Sequence, residues 1–294
     1  MENSPTKDTT IGNPLSWTLR QLGLTGSHVA FSAEQIGGIG GEHEVSHPKV
    51  QTLDMSDLSA ALSAGYQDFL ASRSDAVFAI LIYPLMGLVL VGLGFHMNFL
   101  PLLFPLIAGF VLIGPIAAVG LYEISRRREK GEDAGWRHVF SVVSSPSFSA
   151  ILVLGLYLFV LFLFWMFSAQ EIYRLTLGPE APVSLSGFLS DVLTTRAGWV
   201  MIITGFAVGF VFALAALAIS LVSFPLLLDR HVGVPVAVVT SVNVFLRNPR
   251  VVLAWGAVVA AGLILGSLPF FLGLMVTMPL LGHATWHLYR RAVH

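Results

Sequence analysis

Polar and apolar positions alternate on three different scales along this chain. From Met1 to Val50 polar residues dominate, and Gly37, Gly38, Gly40 and Gly41 form a near-continuous glycine patch. Such a segment holds too little apolar side chain to offset the entropy of ordering, so residues 1–50 are expected to form a largely disordered tail. From Leu53 the pattern changes: Met55, Leu58, Ala61, Leu62, Gly65, Tyr66 and Phe69 recur at spacings of three and four, with Asp54, Asp57, Ser59 and Asp68 between them. That period predicts an amphipathic helix within residues 51–75, too polar to cross a bilayer. Its polar face carries Asp where a lipid-surface binder would carry Lys or Arg, so docking on a protein neighbour is the expected use.

Long apolar stretches follow. Residues 76–95 carry no charge over twenty positions, enough for a hydrocarbon core of about 30 Å at about 1.5 Å per residue. Residues 99–122 form a second stretch, interrupted by Pro101, Pro105 and Pro115, and residues 150–173 a third, with Glu171 near its far end. The fourth, residues 198–228, exceeds one crossing and is expected to tilt or to extend past the headgroups. The last apolar run, from Val251 to Trp286, would measure roughly 54 Å as one helix. Two spans, about 251–267 and 269–288, fit it better, because Pro269 cannot continue the hydrogen-bond ladder after Gly266-Ser267-Leu268.

Loop charges test that division. With six spans and the N-terminus inside, fourteen of the sixteen Lys and Arg residues fall on the inner side, and only Arg174 and Arg196 lie outside. Five spans would export Arg290 and Arg291, against the positive-inside rule. The expected fold is therefore all-α: a polytopic bundle of about six transmembrane helices over residues 76–294, with both termini cytoplasmic. One inner loop holds Arg126, Arg127, Arg128, Lys130 and Arg137; the other, Asp229–Arg250, contains an apolar stretch from Val236 to Leu246 that is too short to cross and suits the interface.

Composition agrees with a membrane protein. Hydrophobic residues make up 55% of the 294 positions and charged ones 11%, with mean hydropathy +0.79, too little polar surface for a soluble domain of this size. The formal net charge of −1 supplies no basic field for nucleic acid, so the lipid bilayer is the expected environment and no nucleic-acid partner is expected. Cysteine is absent, which excludes disulfides, thiolate metal sites and cysteine nucleophiles. Residues 1–10 lack the charged-then-apolar form of a signal peptide, so the first span is expected to direct insertion.

Candidate chemistry is sparse. No Asp, Glu, Lys or Arg occupies the middle of any expected span, which counts against a proton- or ion-driven pump. His283 and His287, four residues apart, share a helix face as a two-histidine metal site would. No Glu follows His283, however, and no third ligand can be assigned, so hydrogen-bonding and interfacial roles are expected and no metal or other cofactor. Nor can the two histidines face each other across a haem. Ser220, Ser223 and Ser267 could be paired with His283 on paper, but buried hydroxyls also satisfy helix backbones, and no catalytic residue is assigned. The spacing Gly205-xxx-Gly209 suits close helix approach.

Three expected inner helix ends share a pattern: Tyr122-Glu123 ahead of Arg126-Arg127, Asp229-Arg230, and Tyr289-Arg290-Arg291, with His283 and His287 on the helix that leads to the last. Glu123, Arg126, Asp229, Arg230, His283, His287 and Arg290 are therefore the candidate cytoplasmic polar cluster. In it Glu123 and Asp229 would accept from Arg230 or Arg290 across spans two, four and six. Such a cluster would lock the bundle or form a polar mouth, and spacing does not choose between them.

Gly114-Pro115, Gly120–Arg127 (GLYEISRR), Phe224–Arg230 (FPLLLDR), Asn248-Pro249 and Gly282–Arg290 (GHATWHLYR) together resemble a bacterial family of predicted integral membrane proteins, a domain of unknown function, over roughly Val50 to the C-terminus. The resemblance implies a multi-span bundle in a bacterial inner membrane and implies no activity. Two function classes follow from the residues. One is a non-enzymatic scaffold or accessory subunit with a protein partner in a membrane complex. The other is a transporter or channel for a small solute entering at the polar mouth.

Overall fold

A computed structural model describes residues 48–72, 85, 88, 89, 92, 97–135, 142, 143, 145–230 and 232–294. The polar tail up to residue 47 lies outside the described residues. So does the expected first span, save Leu85, Leu88, Val89 and Gly92. Among the described residues the regular structure is helical, with one isolated antiparallel bridge between Val50 and Val293.

The order is α1 (Met55–Ala71), a 3-10 turn over Met97–Leu102, α2 (Leu103–Ala117), α3 (Val119–Glu129), α4 (Phe148–Thr176), α5 (Leu185–Thr194), α6 (Arg196–Ser220), α7 (Ser223–Asp229), α8 (Val234–Arg247), α9 (Pro249–Ser267) and α10 (Leu274–Ala292). Three of these units are long and apolar enough to cross a membrane: α4, α9, and α6 together with α7. Their flanks expose large apolar side chains, among them Phe164, Ile203, Phe206 and Ile264, while Glu123, Asp68 and His283 are buried. A water-soluble bundle sorts its residues the other way, because only a hydrocarbon solvent tolerates such flanks.

The 198–228 stretch lies within one apolar unit, Arg196–Asp229, longer than a single crossing needs, and that unit is interrupted near its end. The α-helix stops at Ser220 and restarts at Ser223. Pro225 has no N–H to give and its ring crowds the carbonyl four residues back, so the helix breaks one turn earlier. The break is then capped from outside. Ser241 of α8 accepts the Val222 N–H at 3.1 Å, and the Ser223 hydroxyl donates to the Ile219 carbonyl and lies 3.1 Å from that of Ala237. These contacts bury Ala237 and Ser241 on one face of α8 and leave Val239 and Leu246 exposed on the other.

The last apolar run divides into α9 and α10. They pack antiparallel around the turn at 268–273, where Phe270 and Phe271 both take left-handed backbone angles, φ 52° and 63°. That region is costly for a side chain bearing a Cβ. The turn brings Gly273 against Gly266, where an added Cβ on Gly273 would meet the Gly266 Cα at 2.7 Å.

Helix α1 lies antiparallel along α10 and makes its most extensive contact there. An Asp54–Asp57 capping box starts it: Asp54 accepts the Ser56 N–H at 2.7 Å and Asp57 returns a bond to the Asp54 N–H at 3.0 Å. Small residues then permit close approach, since a Cβ at Gly65 would sit 2.5 Å from the Ala284 backbone nitrogen. The strand-like residues before α1 are tied down as well. Lys49 and His294 exchange backbone hydrogen bonds at 3.0 and 3.1 Å, and Asn248, almost fully buried, accepts from the Leu53 N–H at 2.7 Å and donates to the Gln51 carbonyl at 2.9 Å.

Candidate functional site

One end of the bundle gathers a connected set of polar side chains. Helix α1 brings Asp68 and Ser72, α3 brings Glu123, Ser125, Arg128 and Glu129, α7 ends on Asp229, and α10 contributes His283, Trp286, His287, Tyr289 and Arg290. Asp68 is the centre of the first group. Its Oδ2 accepts from the Ser125 hydroxyl at 2.6 Å and from His287 Nε2 at 2.8 Å, while Oδ1 lies 3.3 Å from Arg128 Nε. Burial alone would raise the Asp68 carboxyl, but the hydrogen bonds from His287 and Ser125 outweigh it and hold the group below its ordinary value.

Ser125 has a single proton, and the carboxylate takes it. The 2.8 Å contact between the Ser125 oxygen and His283 Nδ1 therefore runs the other way, with Nδ1–H donating, which fixes the His283 tautomer. Its Nε2 then faces the Ser72 hydroxyl at 3.5 Å, a long contact, while that hydroxyl donates to the Asp68 carbonyl at 2.9 Å. The order His–Ser–Asp–His is unlike a nucleophilic triad, where the imidazole stands between serine and carboxylate. Ser125 is buried, and its proton is held by the Asp68 carboxylate and not by an imidazole.

A second group lies nearer the C-terminus. Asp229 accepts from the Tyr289 hydroxyl at 2.8 Å and from Arg290 Nη1 at 3.2 Å. Glu129 accepts from Trp286 Nε1 and from Arg290 Nε, each at 3.0 Å. Arg290 thus joins α3, α7 and α10. Beyond it, Arg291 meets Asp57 of α1 at 3.0 Å.

The candidate residues are not all brought together as the spacing suggested. Asp229 and Arg290 pair across helices, and His283 and His287 both turn toward Asp68 and Ser125. Glu123 instead binds Arg126 at 2.8 Å and Arg127 at 2.6 Å within its own helix, because spacings of three and four place those guanidinium groups on its face. Arg230 forms no ion pair among the described residues.

Asp68, Ser125 and Glu129 carry much of the network and were not among the candidates. Asp68 had a signal. It continues the Ala61, Gly65 stripe that faces α10, so a carboxylate stands on the docking face of an amphipathic helix. Glu129 had none, since it ends a run of exposed charges. Among the described residues every buried polar side-chain atom has a hydrogen-bond partner.

The bundle that carries this network is matched in part by a known family. Residues 103–229 match the model of a family described as a predicted integral membrane protein (DUF2189). This is an integral membrane protein. The matched segment runs from α2 through α7 and includes Glu123, Ser125, Glu129 and Asp229, while α1 and α10 lie beyond it. No match was found among curated proteins or among solved structures.

Proposed function

We propose that this chain is a non-enzymatic scaffold or accessory subunit of a bacterial inner-membrane complex, with about six spans and both termini in the cytoplasm. The observation that supports it is the closure of the polar network. Asp68, Glu123, Glu129 and Asp229 are each bonded to two or more side chains of the same molecule. A polar mouth for a solute needs donors and acceptors that can be exchanged for those of the solute, whereas a lock needs them committed to one another. The lock joins α1 to α10 and sets a firm surface where a partner could assemble.

Purification of the whole chain from its native membrane in mild detergent, with mass spectrometry of what accompanies it, tests this reading. A stoichiometric protein partner is the expected result. The breaks at Ala118 and at Leu221-Val222 favour a second reading, a transporter or channel, because interrupted helices are where membrane proteins line a path. Loss of solute flux in vesicles on replacing Arg290 or His283, with no partner recovered, would establish the transporter and overturn the scaffold.

A further inference from the structure

At the opposite end of the bundle from the polar network, α2, α4, α5 and α6 enclose a cavity of about 360 Å³, within the size range of small-molecule sites. Leu100, Phe104, Trp165, Phe188, Ile202 and Phe206 are among the residues of its wall. We propose that this cavity holds one acyl chain of a bilayer lipid.

The chemistry of the wall selects an apolar occupant. Its two polar side-chain atoms are already satisfied by backbone: Trp165 Nε1 donates to the Pro105 carbonyl at 2.9 Å, and the Tyr173 hydroxyl donates to the Glu180 carbonyl at 2.6 Å. A polar solute entering here would lose its hydrogen bonds to water and find none in return. Water itself is poorly held in such a space, for want of polar partners.

The rim then selects the source. Phe104 of α2, Leu189 of α5 and Phe206 of α6 are 55%, 47% and 61% exposed, so the cavity opens beside α6, and α4 contributes Trp165 to its lining. Both helices are long and apolar enough to cross the membrane, and along such a flank the solvent is lipid tails. Helix α5 roofs the space. It buries no residue, and Leu185, Phe188, Leu189 and Val192 recur on the face that lines the cavity, while Ser190 and Asp191 lie off that stripe. An amphipathic helix of this kind is suited to the headgroup boundary, above the acyl chains.

Gly205 keeps the space open. It lines the cavity, and a Cβ built on it meets no atom of the described residues within 4 Å. One turn further on, Gly209 is the reverse: its Cβ would come within 2.9 Å of the Trp165 ring. The two glycines of the small-xxx-small spacing therefore have different uses. Gly209 seats an aromatic ring between helices, and Gly205 borders a space that none of the described residues fills.

The test uses the whole chain in phosphatidylcholine vesicles in which part of the lipid carries dibrominated acyl chains, since bromine quenches an indole that it touches. The Trp165 signal is taken as the difference between the wild-type and Trp165→Phe proteins, and exposed Trp199 serves as the reference for ordinary lipid contact. The expected result is measurable quenching of Trp165, weaker than that of Trp199 because only an edge of the buried indole meets the cavity, with loss of the Trp165 quenching alone in Gly205→Phe and in the less bulky Gly205→Leu. Native mass spectrometry should show one phospholipid retained by the wild type and lost from both variants. Trp165 that is not quenched, or that is quenched equally in the filled variants, overturns the proposal. So does an unquenched Trp165 in a chain that runs as a dimer, which would assign the cavity to a second copy. None of these outcomes depends on whether the protein is a scaffold.

Discussion

Asp68 at one end of the bundle and Trp165 at the other sit in similarly dry surroundings and solve the problem of burial in opposite ways. Asp68 collects Ser125, His287 and Arg128 from two other helices. Trp165 gives its one polar atom to a backbone carbonyl, packs its ring against Gly209 and Phe212, and lines a hollow with what remains. In low dielectric an unpaired charge costs more than the pair contributes, so the polar end has to be closed and is intolerant of single deletions. An apolar hollow forfeits only dispersion contacts, which any hydrocarbon can restore. The polar end therefore holds the molecule's shape, and the apolar end is where something else can enter.

The largest effect is expected at the polar end. Asp68→Ala strands Ser125, His287 and Arg128 together, and should cost about 3 kcal/mol, the lower part of the range for a broken buried pair because Arg128 and His287 reach solvent in part. Unfolding of the purified protein in mild detergent would measure it, and a cost near that of an exposed substitution would show that the network does not lock α1. Gly65→Leu attacks the same junction through packing. With the Ala284 backbone nitrogen 2.5 Å from the new Cβ, α1 should lift from α10 at a cost of about 2–3 kcal/mol, and amide exchange within residues 55–71 should rise accordingly.

At the apolar end the two glycines should separate. Gly209→Leu drives into the Trp165 ring and should cost about 1–2 kcal/mol. Gly205→Leu meets nothing, and stability should stay within about 0.5 kcal/mol of the wild type, or rise as a helix interior loses a glycine. Equal losses at both positions would show the hollow to be closed in the working protein.

Acid offers a gentler probe of the polar end. The Asp68 carboxyl is held below its ordinary value of 3.8 in the folded chain. It therefore contributes stability that is fully present above that value and is lost as pH falls through the lower folded value. Docking of α1 should persist at pH 5 and weaken only in the strongly acid range, as read by protease cleavage after α1. In Asp68→Asn this share of the acid sensitivity should vanish, whereas an unchanged acid profile would assign it to other carboxylates.

Features that depend on near neighbours in the sequence were legible from it. Apolar length marks α4, α6 and α9, and Pro269 marks the place where the last run turns back. The three- and four-residue period from Met55 to Phe69 lies where α1 forms. These follow from backbone geometry and from the solubility of side chains in hydrocarbon, which act on a dozen residues at a time. The apolar length of the stretch ending at Leu228 was legible as well, but not its interruption at Leu221-Val222, which is completed by Ser241, nineteen positions away.

Which helix faces meet was decided only in three dimensions. Asp68 and His287 stand 219 positions apart, and nothing in either neighbourhood selects the other. Glu123 had cross-helix candidates by spacing and bonds within its own helix instead. Gly205 and Gly209 are equivalent as a sequence spacing, yet one is filled by an indole and the other opens on empty space. The rotation of each helix about its axis settles all of these. That rotation is the outcome of the packing of the whole bundle, with the close approach of Gly65 and Ala284 among its tightest contacts, and no local preference encodes it.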